Sequence, residues 1–289
     1  MAAIGAAAMS DPSGGLEQLS RSDFHRVAQF ILSSTGIKLP PSKKPMLEGR
    51  LRRRMRALGL ETLSEYCAKV FDSRDFEDEA VNLIDAVTTN KTDFFREPSH
   101  FEFLATTVLP DLAQSGRAAK VWSAACSIGA EPYTLAMVLS DFARISSGFR
   151  FSILASDIST EVLAKAARAV YAQEMINPVP MTMRQRYLLR PNDPTLEVVR
   201  MAPEIRSLVR FARINLIEER YPVETDMDVI FCRNLLIYFD KQTQEAVVRR
   251  LCSYLRPGGY LMLGHADGVT GMTLPATWLG NSIFRREMT

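Results

Sequence analysis

From Lys120 onward the chain alternates short β-branched and aromatic runs with segments of helical periodicity, and this alternation leaves few folds open. A strand, a helix and a second strand in one sheet require a parallel crossover, so such a chain winds helices about a largely parallel sheet. Strands are expected at Val121–Ala125, Phe151–Ala155, Asp228–Cys232 and Tyr260–Leu263, and helices at Pro132–Ala143, Ser159–Tyr171 and Val247–Leu255. Between Ala172 and Leu208 the pattern breaks at Pro178, Pro180, Pro191 and Pro194. This stretch reads as an insertion carrying a small β unit that includes Leu196–Met201. Upstream, the periodicity is helical only. Phe24, Val27, Ala28, Phe30 and Ile31 fit one helix, ended by Gly36 and the Pro40-Pro41 pair. Further helices are expected at Pro45–Leu58, Ser64–Phe71 and Phe76–Thr88. The class is therefore α/β, with an all-helical domain at 16–99 followed by a wound-sheet domain at 100–289, the insertion falling at about 172–208.

Composition removes several function classes. The 289 residues suit two domains, and the balance of 35 Lys+Arg against 33 Asp+Glu leaves +2, too little for a polycation. No nucleic-acid partner is expected. Four scattered cysteines without a CxxC and three histidines give no zinc pattern and no disulfide framework, so no metal is expected. No apolar run approaches the roughly 20 residues needed to cross a bilayer. Met1–Gly15 has no Lys or Arg before its apolar part, so it reads as a loose tail rather than a secretory signal. A soluble protein of a reducing compartment is expected.

In a wound sheet, ligands sit at the carboxyl ends of the strands where the chain order reverses. The first strand ends in Ala124-Ala125-Cys126-Ser127-Ile128-Gly129-Ala130-Glu131-Pro132, whose small residues allow close backbone approach. With one glycine this is not a pyrophosphate-binding GxGxxG, which weighs against NAD and FAD. The second strand ends in Asp157, 28 positions after Gly129. Its carboxylate can accept both ribose hydroxyls of a nucleoside, or it can cap the next helix together with Ser159. A nucleoside without a diphosphate points to S-adenosylmethionine. The run Thr88-Thr89-Asn90-Lys91-Thr92-Asp93-Phe94-Phe95-Arg96-Glu97 closes the helical region. It serves as an interdomain core with a Phe pair, as a ligand cleft, or as both. The run Asp228–Asp240 delivers Asn234 to a strand end, where an amide needs partners. Tyr238 in the same run suits packing as well as chemistry.

Taken together, TTNKTDFFRE, WSAACSIGAEPY, ILASDIS, INLIE, FCRNLLIYF, LRPGGYLMLGHAD and SIFRRE resemble the chemotaxis receptor methyltransferases, the CheR family. The likeness runs in order from about Asp23 to Arg286. It implies a helical N-terminal domain and a Rossmann-like S-adenosylmethionine-binding methyltransferase domain bearing a small inserted β subdomain. It also implies a cytoplasmic enzyme that methylates receptor glutamates with S-adenosyl-L-methionine and releases S-adenosyl-L-homocysteine. Cofactor contacts carried over residue by residue are Asn90, Thr92, Arg96, Glu131, Asp157, Asn215, Leu216, Asn234 and Leu235. Ala130 stands where the family usually has an acid, Ile128 where it has Thr, and His265-Ala266-Asp267 where it has His-Ser-Glu. The loop Arg190–Glu197 lacks the glycines of relatives that grip a receptor's C-terminal peptide.

A glutamate, with an intrinsic pKa of about 4.3, is already the nucleophile at neutral pH and needs no general base. The protein's share is positioning, water exclusion and charge management. Arg96 is expected to orient a carboxylate and Tyr238 to present its ring face to the sulfonium, which makes these two the catalytic candidates. Eight basic residues and one acid fall within Lys38–Arg56. This is either a solvated face or a substrate surface, the latter carried by Arg50, Arg53 and Arg56. The expected partner is the cytoplasmic domain of a methyl-accepting chemotaxis receptor, reached by a monomer that touches the membrane only through it. The alternatives are a methyltransferase of this fold acting on RNA or a small molecule, and a non-catalytic module that binds the cofactor.

Overall fold

The computed structural model describes residues 18–72, 76–193 and 195–288. The expected tail Met1–Gly15 lies outside these residues. Helix α1 (Arg21–Thr35) starts where the Ser20 side chain accepts the Asp23 N–H, and ends at Gly36. Gly36 has φ +73°, and a Cβ there would come within 2.7 Å of the Ile217 side chain, so both backbone and space demand glycine. Helices α2 (Lys44–Ala57), α3 (Leu63–Asp72) and α4 (Phe76–Val87) follow. They bury Phe24, Val27, Ile31, Leu47, Leu51, Leu63, Val70 and Leu83 in one core. Glu79 of α4 pins the bundle by accepting Arg54 Nε and Nη2 from α2 at 2.6 and 2.8 Å and the Tyr66 hydroxyl from α3 at 3.0 Å.

Helices α5 (Pro98–Phe103) and α6 (Leu109–Gln114), joined by a π turn at Leu104–Val108, were not anticipated from the sequence. They lead into strand β1 (Ala119–Ala124), helix α7 (Ala130–Ile145), strand β2 (Phe151–Asp157) and helix α8 (Thr160–Arg168). Helix α8 stops short of Tyr171 because Ala169 turns to φ 54° and the chain leaves as β3 (Val170–Ala172). The insertion continues through α9 (Met181–Tyr187), β4 (Leu188–Leu189), β5 (Val198–Met201) and α10 (Pro203–Arg206). Its strands form a separate sheet of order β3-β5-β4 with antiparallel pairing.

The remaining elements are β6 (Val209–Arg213), β7 (Met227–Cys232), α11 (Lys241–Tyr254), β8 (Leu255–Leu263), β9 (Ala276–Gly280) and β10 (Ile283–Arg286). The main sheet runs β6-β2-β1-β7-β8-β10-β9, parallel through its first five members and antiparallel at β10 and β9. The expected sheet lacked β6, β9 and β10. All three lie at or beside an edge, where exposure weakens the apolar signal. Strand β8 begins at Leu255, ahead of the expected Tyr260. Its Pro257-Gly258-Gly259 sits where the register with β7 shifts between Met227 and Val229, a bulge that tolerates proline. Helix α11 begins six positions before the expected Val247, at the Asp240 side chain, which accepts the Thr243 N–H. Among the described residues, no helix is long and apolar enough to cross a membrane.

Among the described residues, hydrogen bonds tie the bundle to the wound-sheet domain at three places. Lys38 N–H donates to Tyr238 O at 3.0 Å, and Asn215 Nδ2 donates to Ser34 O at 2.7 Å. At the third, Asp85 of α4 accepts the Thr160 and Glu161 amides at 2.9 and 3.2 Å, and so caps α8 from another part of the chain. Ser159 takes the Val162 amide of the same helix. Replacing Asp85 by Ala removes a charged cap from a helix N-terminus and should lower stability in urea unfolding by about 1 kcal/mol. An Asp85→Ala protein as stable as wild type would show that water caps α8 equally well.

Candidate functional site

The sheet order reverses between β1 and β7, whose neighbours are β2 on one side and β8 on the other. The carboxyl ends of β1, β2, β6 and β7 therefore open into one crevice. After β1 the chain turns sharply. Ala125 and Ser127 have φ 64° and 51°, and Gly129 has φ 94°. A Cβ on Gly129 would lie 2.9 Å from both Ala166 Cβ and the Tyr171 hydroxyl. This turn keeps the backbone low and leads into the N-terminus of α7. Phe95, Glu97 and Asn234, also around the crevice, are left-handed as well, with φ 52°, 55° and 57°. Such backbone costs about 1–3 kcal/mol per residue and gathers at functional sites.

One cleft is lined by Asn90, Thr92, Arg96, Glu131, Asp157, Asn215, Leu216, Asn234, Leu235 and Tyr238. These are all the cofactor and catalytic residues expected from the sequence. Asp157, at the end of β2, accepts the Ser127 and Ser159 amides at 2.9 and 3.0 Å, one on each oxygen. It supports the start of α8 through Ser159 and also faces the cleft. A carboxylate has about four lone-pair sites, so each oxygen keeps one for a hydroxyl. Burial raises the Asp157 pKa, against the pull of these amides. Asn215 reaches the cleft from the end of β6 while tying Ser34, and Ser127 Oγ donates to Asn90 O at 2.9 Å. Arg96 is half-buried, donates to Lys91 O at 3.2 Å and has no ion pair among the described residues. It is an uncompensated cation in the cleft wall.

Glu131, on the first turn of α7, accepts Ser123 Oγ at 2.6 Å and Arg233 Nε at 2.7 Å. Arg233 escaped the sequence reading. Its only signal was its place beside Asn234 at a strand end, where a charge must find a partner. Asp267 was noted only as a departure from the family. It is buried, accepts the Asn234, Gly264 and Ile237 amides, and so shapes the loop that carries Asn234 to Tyr238. Burial pushes its pKa up to about 6. Lys38 and Lys43, from the segment before α2, line the open side of the cleft.

The three basic residues expected at a substrate surface stand elsewhere. Arg50 and Arg53 line a groove between α2, α4 and α8 that meets the cleft at Thr88 and Asn90, and Arg56 lies outside it. Arg50 also donates to the carbonyls of Val87 and Thr88 at 2.5 and 2.8 Å, closing the end of α4. Two acids compensate part of the run, since Glu79 pairs with Arg54 and Glu48 lies 3.7 Å from Arg52. Arg53 and Arg56 are exposed and have no ion pair among the described residues.

A family profile described as "CheR methyltransferase, all-alpha domain" matches residues 22–88, and one described as "CheR methyltransferase, SAM binding domain" matches 90–282. The "Chemotaxis protein methyltransferase" of Salmonella typhimurium is 38% identical over 266 residues, covering 92% of this chain and 90% of that protein. That of Escherichia coli is 38% identical over 270 residues, with 93% and 92% covered. That of Borreliella burgdorferi is 32% identical over 274 residues, with 91% and 95% covered. The donor set fits S-adenosylmethionine: a buried carboxylate at the end of β2 that lines the cleft, and a close-approach turn at Gly129. Asp157→Asn should weaken binding of S-adenosylhomocysteine in calorimetry by about tenfold or more, roughly 1.4 kcal/mol, since an amide accepts fewer hydroxyls. In the wild type, affinity should fall on acidification at a pH above the ordinary aspartate range, because a protonated Asp157 loses acceptor capacity. A folded Asp157→Asn protein with undiminished affinity would remove Asp157 from the ribose site.

Proposed function

The chain belongs to the CheR methyltransferase family, and on that premise we propose that it methylates glutamate side chains of methyl-accepting chemotaxis receptors, using S-adenosyl-L-methionine and releasing S-adenosyl-L-homocysteine. The observation that carries this reading is the convergence of four strand ends and the Asn90–Arg96 segment on one cleft with an unpaired cation in its wall. When bound, the cofactor supplies an electrophilic methyl on a sulfonium and a neutral thioether as leaving group.

The chain's own residues would supply position and charge. Asp157 and Asn215 hold a nucleoside at the ends of β2 and β6, while Asn90 and Thr92 close over it from the bundle side. Leu216 and Leu235 give the apolar walls that keep water out. The acceptor glutamate arrives ionised, so no base is needed, and the neighbouring His100 is kept neutral chiefly by its burial. Arg96, with no carboxylate of its own, draws the incoming carboxylate into the cleft and orients it. Tyr238 also lines the cleft, its carbonyl held by the Lys38 amide, and its ring would meet the positive charge. Esterification removes one negative charge from the receptor per event.

The receptor helix would approach along the groove of Arg50 and Arg53, which ends at Asn90, with Arg56 and Lys43 extending the positive field. Long-range attraction of a glutamate-rich surface needs only exposed cations, and Arg53 and Arg56 qualify. The enzyme would work as a cytoplasmic monomer, reaching the membrane only through the receptor. Incubation with labelled S-adenosylmethionine and receptor-containing membranes should yield base-labile label. Label stable to base, or none, would overturn glutamate esterification.

Two variants separate the roles. Arg96→Ala should leave the melting temperature nearly unchanged and lower kcat/KM by about tenfold or more. Normal turnover with reduced melting would make Arg96 a structural residue. Reversing Arg53 and Arg56 to Glu should raise the receptor KM and flatten its salt dependence while cofactor affinity stays intact. An unchanged receptor KM and salt response would mean that the substrate docks elsewhere.

A further inference from the structure

Arg233 is the most completely enclosed cation at the cleft, with its side chain 2% exposed. Its Nε meets Glu131 Oε2 at 2.7 Å, its Nη1 donates to Arg96 O at 2.5 Å, and the same nitrogen lies 3.3 Å from His100 Nδ1. The guanidinium carbon sits 5.1 and 5.6 Å from the ring centres of Phe101 and Phe231. Glu97 Oε2, otherwise without a hydrogen-bond partner, is 3.5 Å from Nη1. Glu97, His100 and His265 each place a donor atom within 4.8 Å of the others, a spacing that would suit a cation. The guanidinium is the cation against Glu97 and His100.

This single side chain therefore joins the Glu131 turn of α7, the end of β7 and the main chain of Arg96. We propose that Arg233 is a positioning residue for the methyl transfer: its fork fixes the Glu131 carboxylate and the Arg96 backbone in one frame. The proposal rests on reading the cleft as the cofactor site. A planar fork can hold two acceptors at fixed angles, whereas an ammonium cannot. Without it, Glu131 would be a buried carboxylate deprived of its counter-charge. The other titratable or charged groups facing this pair are Cys126 before α7, Cys232 on β7, Arg96, Glu97 and His100 at α5, and His265 after β8. Burial raises both thiols and lowers His100, while the Asn234 hydrogen bond and the Arg233 charge outweigh burial to hold Glu97 low.

The test measures S-adenosylhomocysteine binding by calorimetry, and kcat and KM with receptor membranes. Wild type must bind first: no binding by wild type defeats the cofactor reading itself. Given binding, Arg233→Met should weaken affinity about tenfold at pH 7. In a Glu131→Gln background the same substitution should cost much less, because the two groups act as one unit. Arg233→Lys, which keeps the charge and loses the fork, should lower kcat severalfold with a smaller change in KM. If Arg233→Met does not fold, Arg233→Lys decides. A lowered melting temperature with unchanged kcat and affinity in the folded variants would make Arg233 merely structural and overturn the proposal.

Discussion

Two parallel strands, β1 and β7, lie side by side while the chain departs from them in opposite directions across the sheet. No connecting segment covers their carboxyl ends, so a crevice is unavoidable there. Everything functional depends on that constraint. The crevice is where the turn after β1 can keep a backbone low, where Asp157 and Asn234 are delivered by their strands, and where the helical bundle must close the remaining side. The bundle is held by Ser34 at Asn215 and by Lys38 at Tyr238, beside the cleft, and by Asp85 at α8, beside the adjoining groove.

The charges of the crevice are managed in two ways. Those that shape it are buried and paired: Glu131 with Arg233 and Ser123, and Asp267 with the amides of its own loop. Arg96, which also lines the cleft, has no ion pair among the described residues. Pairing removes a group's freedom to respond to a ligand, so an unpaired cation keeps that freedom. The left-handed residues Phe95, Glu97, Ala125, Ser127 and Asn234 fit the same division, since their strain is sustained by the packed elements around them.

Helix α2 shows how tertiary structure edits a charge run. By count it is strongly basic, and an isolated helix would be a polycation. In the fold, Arg54 is consumed by Glu79, Arg52 and Lys44 stand near Glu48, and Arg50 closes α4. Only Arg53 and Arg56 among the helix's arginines are exposed, so the open basic surface is smaller than the sequence count suggests.

The strand–helix alternation, the Gly129 turn and the polar residues after apolar strands could be read directly from the sequence, because each rests on local periodicity or local sterics. Those signals placed the cleft residues from Asn90 to Tyr238, with the family resemblance naming their roles. Strands β6, β9 and β10 could not be read so easily, since half-exposed edge strands carry no continuous apolar run. Nor could Arg233 be singled out, because its worth lies in partners 102 and 137 positions away, Glu131 and the Arg96 carbonyl. The sequence alone determined which strand ends and turns could form the crevice. Only the folded chain decided which of those charges are neutralised and which remain free, because pairing depends on distances between elements that no local pattern encodes.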